Sequence, residues 1–398
     1  NKENIVGIIT ETGGKTSHSA ILARALEIPA VLSVNGAVSK LSAGAYVIVD
    51  GSEGVVIDEP DDAVIQEYNT KRINFLKERK ELENFRGKAT KALSGEEYEL
   101  FCNIGKPEDA IKVVDADGEG VGLFRTEFLF MDRTALPTED EQFDAYKKAA
   151  LTLKGKPVII RTLDIGGDKE IPYLGLKKEE NPFLGFRAIR YCLKHKDLFK
   201  TQLRAIVRAS AFGDVRIMFP LITAVEELRE GKALVEEVKA ELREQGVEFN
   251  ENIPVGIMTE TSAAVMIADI LAKESDFFSI GTNDLTGYTM ACDRGNDDVA
   301  YLYSPLQPSV LRGIKYIIDC ANKNNISVGM CGEAAANPMM VPLLMSFGLT
   351  EFSVSAPSVL KVRKTISAWS KAEADKVAEK VLAMTTEKEI SDYLKTLL

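Results

Sequence analysis

The 398-residue chain lacks the marks of several large protein classes. It has no apolar run that approaches the roughly 20 residues of a transmembrane helix, so we predict no membrane insertion. It also lacks a basic excess, because 49 basic residues against 60 acidic ones give a formal net charge of −11, which argues against a nucleic-acid binder. The remaining composition, 45% hydrophobic and 27% charged, is that of a globular protein with ample material for a core.

Cysteine is scarce, and the five cysteines form no CxxC pair. This usage excludes a zinc or disulfide framework and is typical of a reduced, cytoplasmic protein. No secretory signal peptide is recognisable, and the chain begins with Asn1 inside what resembles a folded element. We therefore expect a cytoplasmic protein, of which this chain is a fragment.

Residues 1–60 have the pattern of a small α/β unit. Strands and one helix are predicted from apolar periodicity, with strands at 4–10, 45–50 and 55–58 and the helix at 16–28. Gly51 and Gly54 frame a hairpin-like turn between the last two strands. From Asp61 to Phe85 there is no glycine or proline, which predicts a long charged helix, and we assign 61–93 to a helical linker.

From residue 94 to 398 a strand-then-helix rhythm repeats. Eight short apolar runs are predicted as strands buried on both faces, at 98–104, 121–124, 158–161, 215–220, 255–258, 277–280, 327–331 and 351–354. Eight such units over about 300 residues fit a closed (β/α)8 TIM barrel, so the predicted fold class is α/β. An open doubly wound sheet is the alternative.

Polar residues stand where these strands end, which is where barrel enzymes carry their chemistry. They are Arg125, Arg161, Glu260, Asn283, Asp284 and Cys331, with Arg294 in the loop after the sixth strand. Any one of them alone would be an ordinary loop residue. Together, pointing into one mouth, they predict a site.

The residue types at this mouth predict an anionic ligand held with a metal ion. Several arginines match the oxygens of phosphate and carboxylate, and Gly166 and Gly167 allow backbone amides to approach such oxygens. Glu260 and Asp284 are hard carboxylates of the kind that Mg²⁺ accepts. We expect a small phosphorylated carboxylic acid with a divalent cation. Ordinary ion pairing of the two carboxylates with the arginines is the alternative.

Only two histidines occur in the chain. His195 lies in a charged helical stretch and is predicted to be a surface residue. His18 follows Gly13 and Gly14 and falls in the first turn of the predicted helix, where free backbone amides favour an anion and bias the ring towards its neutral, nucleophilic form. A histidine of the capping turn without a chemical role is the alternative.

Several motifs resemble a known family. The segment GGKTSHSAILARALEIPAV (13–31) is similar to the phosphohistidine signature of the phosphoenolpyruvate-utilising enzymes. Further segments resemble the barrel of the enzyme I family of the bacterial sugar phosphotransferase system, namely GVGLFRTEFLFMDR (120–133), RTLDIGGDKE (161–170), NPFLGFRAIR (181–190), FFSIGTNDLTGYTMACDRGN (277–296) and GMCGEAA (329–335). The resemblance covers essentially the whole chain.

The resemblance implies a role for each matching residue. His18 would become phosphohistidine, and Cys331 would protonate the enolate of the departing pyruvate. Phosphoenolpyruvate would be held by Arg125, Arg161, Arg187, Asn283, Asp284 and Arg294. Glu260 and Asp284 would be the ligands of Mg²⁺. The implied activity is phosphoenolpyruvate–protein phosphotransferase, which passes the phosphoryl group from His18 to a histidine-containing phosphocarrier protein and so energises sugar uptake.

The resemblance also implies an organisation. Residues 1–60 would be part of a swivelling phosphohistidine domain and 94–398 a phosphoenolpyruvate-binding barrel through which the protein forms a homodimer. The carrier-docking domain of the family lies upstream of these motifs and is not in this chain. Gly287 and Ser262 depart from the family pattern, where glutamine and proline are common. Two other functions stay open, a dikinase that charges the same histidine from ATP and a regulatory relative that binds phosphoenolpyruvate as a signal.

Overall fold

The computed structural model describes residues 4–12, 23, 28–131, 133–167, 171–293 and 295–398. The chain divides into two compact units, 1–84 and 85–398, and each is described by itself. The boundary falls between Asn84 and Phe85, within the predicted linker. No helix of the described ranges combines the length and the apolar character that crossing a bilayer requires.

The first unit contains two small sheets. Its strands are β1 (Ile8–Ile9), β2 (Ala30–Val31), β3 (Val47–Asp50) and β4 (Val55–Asp58), of which β1 and β2 pair parallel and β3 and β4 antiparallel. The predicted hairpin turn is confirmed, and Gly54 adopts a φ of 69° there. Helix α1 spans Ala37–Lys40. Most of the predicted helix at 16–28, including His18, lies outside the described residues.

The predicted long helix is present as α2 (Asp62–Glu83). It begins at Asp61, whose carboxylate accepts a hydrogen bond from the Val64 amide at 2.8 Å and so satisfies one free donor of the first turn. None of its residues is buried within the structure. Helix α2 therefore exposes apolar side chains, among them Ile73, Phe75 and Leu76, beside its many charged ones.

The second unit is a closed barrel of eight parallel strands in sequential order, which confirms the predicted fold class and excludes the open sheet. The strands are β5 (Glu99–Ile104), β6 (Val121–Arg125), β7 (Val158–Arg161), β8 (Val215–Phe219), β9 (Val255–Thr259), β10 (Phe277–Ile280), β11 (Ser327–Met330) and β12 (Glu351–Val354). Strand β12 pairs with β5 and closes the ring.

Helices surround the barrel. They are α3 (Ala110–Asp115), α4 (Glu139–Thr152), α5 (Ile189–Lys194), α6 (Lys196–Ala209), α7 (Val225–Glu244), α8 (Ser262–Met266), α9 (Ala268–Leu271), α10 (Thr282–Met290), α11 (Pro308–Lys323), α12 (Val341–Phe347), α13 (Val359–Ser367), α14 (Lys371–Ala383) and α15 (Glu387–Lys395). Their apolar faces pack on the outward side chains of the strands and form the main core.

Alternation along each strand separates this outer core from a smaller inner one. On β7, Val158 and Ile160 belong to the outer core, whereas Ile159 belongs to the inner cluster. The inner cluster consists of Leu123, Ile159, Met218, Met258, Phe277 and Cys331. Because Arg161 is two residues beyond Ile159, its side chain also enters the barrel, at the carboxyl end. The apolar cluster is thus the floor beneath the predicted site.

Candidate active site

The carboxyl ends of the strands bring most of the predicted site residues to one mouth. Arg125 and Arg161 end neighbouring strands and are register partners. Glu260 directly follows β9, and Asn283 and Asp284 lie in the first turn of α10, directly after β10. Two predicted residues, His18 and Arg294, lie outside the described part of the chain.

Arg161 is held by two buried carboxylates. Its guanidinium is 2.8 Å from Glu127 and 3.2 Å from Asp164, and the residue is only 6% exposed. Burial would lower the pKa of Arg161, but the nearby Glu127, Asp164 and Glu260 more than offset this and raise it. The guanidinium therefore stays charged, and its orientation is defined from two sides.

Arg187 joins the same network although it comes from a distant loop. It is 2.9 Å from Asp164 and 3.2 Å from Asp284, and it donates to the Tyr288 hydroxyl at 3.2 Å. Asp164 thus bridges the two arginines. Since the carboxylates of Asp164 and Asp284 raise the pKa of Arg187 against the effect of burial, this cation is permanent too.

The two arginines still have hydrogen-bonding capacity. The Nε atoms of Arg161 and Arg187 are buried and have no acceptor among the described residues, and the same holds for the Thr282 hydroxyl. Arg125 is half-buried and has no ion pair with a described residue. Buried donors without a partner are costly, so this mouth is suited to an anion with several oxygens.

Glu260 and Asp284 fit a divalent cation. One oxygen of each carboxyl group already accepts a hydrogen bond. Glu260 Oε1 accepts from the Leu221 amide at 2.7 Å, and Asp284 Oδ2 accepts from the Arg187 guanidinium. The other oxygens, Glu260 Oε2 and Asp284 Oδ1, accept no hydrogen bond from the described residues. No group of three or more potential metal ligands occurs in the ranges that the structure describes. Such a cation would take its further ligands from substrate and water, as Mg²⁺ usually does.

The electrostatics of Glu260 point the same way. Among the described residues, the guanidinium groups of Arg161 and Arg187 lie beside the carboxyl groups of Glu127, Asp164, Glu260 and Asp284. Burial, followed by Asp284 and Asp164, raises the pKa of the Glu260 carboxyl, although the two arginines lower it. A bound cation would stabilise the ionised form of this carboxyl group. Ion pairing alone, the alternative, accounts for Asp284, which pairs with Arg187, whereas Glu260 has no ion pair with a described residue.

Cys331 lies directly beyond β11, within the inner apolar cluster. It is 4% exposed, and burial raises the pKa of its thiol to about 11, although Ser279 and Arg161 lower it. The side-chain amide of Asn103 donates to the Cys331 carbonyl at 2.9 Å and holds this stretch of backbone. The thiol is therefore protonated at neutral pH, as a proton donor must be.

A cavity of about 360 Å³ opens beside Asp284 and the first turns of α10. Asn283, Asp284, Gly287 and Tyr288 form one side of it. A Cβ at Gly287 would lie 3.2 Å from the Cys292 carbonyl oxygen and 3.7 Å from the Tyr303 ring, so the missing side chain leaves this space open. Ser262, the other departure from the family pattern, is exposed at the start of α8, two residues after the buried Glu260.

Sequence reasoning missed three members of the network, Glu127, Asp164 and Tyr288. The signal was present for the two acids, because both stand within three residues of a predicted arginine in motifs already singled out. Nothing in the sequence separated Tyr288 from an ordinary aromatic of a helix. His195, predicted to be a surface residue, is exposed and stacks on Tyr191 with ring centroids 4.1 Å apart.

Comparison with known proteins adds to this geometry. The family model described as "PEP-utilising enzyme, PEP-binding domain" matches residues 79–370, and "PEP-utilising enzyme, mobile domain" matches residues 2–54. A phosphoenolpyruvate-protein phosphotransferase of Bacillus subtilis (strain 168) is 50% identical over 395 residues, and one of Priestia megaterium is 48% identical over 396. These alignments cover 99% and 100% of this chain and 69% of each relative. A solved citrate lyase of Burkholderia xenovorans LB400 is 20% identical, with a TM-score of 0.34 over 46% of this chain and 58% of the lyase.

Proposed function

The chain belongs to the phosphoenolpyruvate-utilising enzymes and is a phosphoenolpyruvate–protein phosphotransferase, and we propose that it moves the phosphoryl group of phosphoenolpyruvate onto its own His18 and releases pyruvate. One observation carries the site assignment. It is the pair of buried arginines, bridged by Asp164, whose Nε donors have no acceptor among the described residues and lie beside two carboxyl groups at the barrel mouth.

Substrate binding is the task of the cations and amides of the mouth. Arg125, Arg161, Arg187, Arg294 and Asn283 hold the phosphate and carboxylate oxygens of phosphoenolpyruvate. Their charges also offset the negative charge that spreads over the phosphoryl oxygens during transfer. The rigid ion pairs with Glu127 and Asp164 support this proposal, because arginines positioned in advance need no reorganisation when the substrate binds.

Glu260 and Asp284 hold Mg²⁺ in this proposal, and Asp284 also orients Arg187 towards the substrate. When bound, the ion supplies positive charge to the phosphoryl oxygens. Support comes from one carboxylate oxygen on each residue, Glu260 Oε2 and Asp284 Oδ1, that accepts no hydrogen bond from the described residues.

The two reacting residues divide the chemistry between them. The neutral imidazole of His18 attacks phosphorus, and the Cys331 thiol protonates the methylene carbon of the enolate to give pyruvate. We further propose that the phosphohistidine passes its group to a histidine-containing phosphocarrier protein, that the protein is a homodimer through the barrel, and that it resides in the cytoplasm. Five free cysteines agree with a reducing compartment.

Intact-mass analysis tests the central claim. The chain is mixed with phosphoenolpyruvate and Mg²⁺, and we expect one added phosphoryl group that is labile in acid and stable in base. The His18→Ala variant should gain none while keeping its melting temperature. Labelling that persists in this variant would refute the assignment to His18. Labelling by ATP instead would favour the dikinase alternative, and binding of phosphoenolpyruvate without any labelling would favour the regulatory one.

A further inference from the structure

A carboxylic acid lies inside the barrel beneath Cys331, and the phosphotransfer chemistry does not use it. Glu351 is the first residue of β12 and is only 5% exposed. Its Oε1 has no hydrogen-bond partner among the described residues. The carboxylate occupies the space that side chains at Gly329 and Gly122 would otherwise take, since a Cβ at either position would overlap it. Two glycines thus make room for a buried acid.

The same register row contains a second polar group without a hydrogen-bond partner among the described residues. Ser279 on β10 and Glu351 on β12 are both register partners of Gly329 on β11, so they flank this glycine from either side and face the barrel interior. The Ser279 hydroxyl is fully buried and makes no hydrogen bond of ordinary geometry within the described ranges. Glu351 Oε1 and the Ser279 hydroxyl, both without a hydrogen-bond partner in the described part of the chain, therefore face one space above Gly329.

Cys331 lies directly above this space. It is two residues beyond Gly329, so its side chain points to the same interior side about one strand repeat, roughly 7 Å, further along. Ser279 is close enough to the thiol to lower its pKa, and Glu351 acts on the thiol electrostatically. The Glu351 carboxyl, the Ser279 hydroxyl and the Cys331 thiol therefore form a row from the middle of the barrel to its mouth.

The groups that face Glu351 favour its protonated form. Burial and then the Glu99 carboxylate raise the pKa of Glu351 to about 8, against the effect of Arg216. At neutral pH this side chain is mostly a neutral acid with a proton to give. Glu99 is its register partner on β5 and is exposed, so it connects the buried acid with solvent at the amino-terminal end of the barrel.

We propose that Glu351 resupplies, through the Ser279 hydroxyl, the proton that Cys331 gives to the product. The inference rests on the proposed role of Cys331. When the thiol protonates the enolate carbon, a thiolate remains. Ser279 donates its hydroxyl proton to this thiolate and takes one from the Glu351 carboxyl, so the thiol is restored and a carboxylate is left. Water at the Glu99 end then returns a proton to Glu351. Glu351 acts through Cys331 and does not touch the substrate.

An exchange experiment separates this step from phosphoryl transfer. The chain is incubated in D₂O with Mg²⁺, phosphoenolpyruvate and ¹³C-labelled pyruvate, and mass spectrometry follows both carbon exchange and deuterium uptake. Carbon exchange needs only reversal of the reaction, because the thiolate left by one pyruvate can accept the proton of the next. Deuterium enters only when the thiol is renewed from solvent. The ratio of deuterium to carbon exchange therefore reports proton resupply alone.

In the unmodified chain we expect about one deuterium per carbon exchange, because general acids that are linked to solvent exchange rapidly. Glu351→Gln should lower this ratio roughly tenfold while carbon exchange stays within about twofold. Ser279→Ala should act in the same direction, and it tests the relay independently if Glu351→Gln fails to fold. Glu97→Gln, which changes an exposed glutamate near the start of the same barrel, is the matched control and should leave the ratio unchanged.

A normal ratio in both folded variants would overturn the proposal, as would a low ratio in the unmodified chain. Loss of carbon exchange in folded Glu351→Gln would also overturn it, because the residue would then act in the transfer step itself. Failure of the proposed role of Cys331 gives a different result. Cys331→Ala with full carbon exchange would show that the thiol is not the acid, whatever the ratio in the Glu351 variant.

Discussion

At the scale of single residues, burial decides what each group of the site can do. Cys331 is a small side chain in an apolar cluster, and in that setting most cysteines only fill space. Its distinction is its place at the boundary between this cluster and the arginine network, where Arg161 and Glu260 both act on the thiol. Desolvation holds the proton on sulfur, as the proposed role of proton donor requires.

Cys331→Ala tests whether the thiol is an acid or a filler. We expect phosphoenolpyruvate binding close to that of the unmodified chain and pyruvate formation slowed roughly a hundredfold to ten-thousandfold, the usual contribution of a general acid. Because the pKa of the thiol is raised to about 11, the unmodified chain should keep its donor protonated throughout the neutral range. Nearly full turnover with a slightly lower melting temperature would indicate a packing role, so pyruvate release and a melting curve are measured together.

Asp284→Asn tests the metal assignment. The amide keeps the shape and an oxygen for Arg187 but loses the negative charge, so the Mg²⁺ concentration for half-maximal labelling should rise about tenfold or more. Asp164→Asn is the matched comparison, since it weakens the same arginine without removing a proposed ligand. If both substitutions change the metal dependence equally and only slightly, the Asp284 carboxylate has a structural role and is not a metal ligand.

At the scale of elements, the long connection between β7 and α5 carries much of the site. It supplies Asp164 at its start and Arg187 at its end, and the two meet because the chain folds back at Gly166. Gly166 has a φ of 97°, and its backbone passes directly beside Arg187. Only a residue without a Cβ permits both the left-handed conformation and this close approach.

Gly166→Ala should therefore affect substrate binding through the position of Arg187. The new Cβ would lie 2.6 Å from Arg187 Cβ, so the arginine has to move, and we expect the KM for phosphoenolpyruvate to rise about tenfold or more. Gly175→Ala in the same connection is the control, because Gly175 also has a positive φ, 59°, but has no atom within 4 Å of the added Cβ. Equal losses in both variants would trace the effect to backbone strain and not to Arg187.

At the scale of the whole molecule, the barrel contains its own core and most of the site. All eight strands, their helices and the inner cluster fall within 85–398, whereas the proposed nucleophile belongs to the other unit. The single tryptophan, Trp369, is half-buried against the barrel core and reports on this unit alone. Binding and phosphoryl transfer should thus be separable by truncation.

Residues 85–398 produced alone should fold, bind phosphoenolpyruvate with Mg²⁺ and gain no phosphoryl group. We expect one cooperative unfolding transition in Trp369 fluorescence, shifted upwards by the ligand because binding stabilises only the folded form. Intact mass should stay unchanged after incubation with phosphoenolpyruvate. A phosphorylated barrel would contradict the role of His18, and a barrel without a cooperative transition would show that it depends on residues 1–84.

The strands and their order were accessible from the sequence alone. Each barrel strand is a short apolar run buried on both faces, a local signal, and the observed bounds of these eight strands differ from the predicted ones by one residue at most. In the first unit the agreement is poorer, since the strand predicted at 4–10 is observed only at Ile8–Ile9 and β2 (Ala30–Val31) was not predicted. The polar residues at the strand ends followed from the same bounds, because parallel strands in a barrel direct their carboxyl ends to one mouth. The resemblance of the motifs then assigned roles, and all of these roles stay predictions. His18 and Arg294 also lie outside the described residues.

Only the tertiary structure decided which of these groups meet. Asp164 bridges Arg161 and Arg187, Asp284 pairs with Arg187, and Glu351 fills the space over Gly329, and none of these contacts has a periodic signal in the sequence. Each depends on the register between strands and on the path of long connections, which are set by the packing of the closed barrel as a whole. Local sequence patterns therefore determined which residues lie at the carboxyl ends of the strands, and barrel closure determined which of their side chains are in contact.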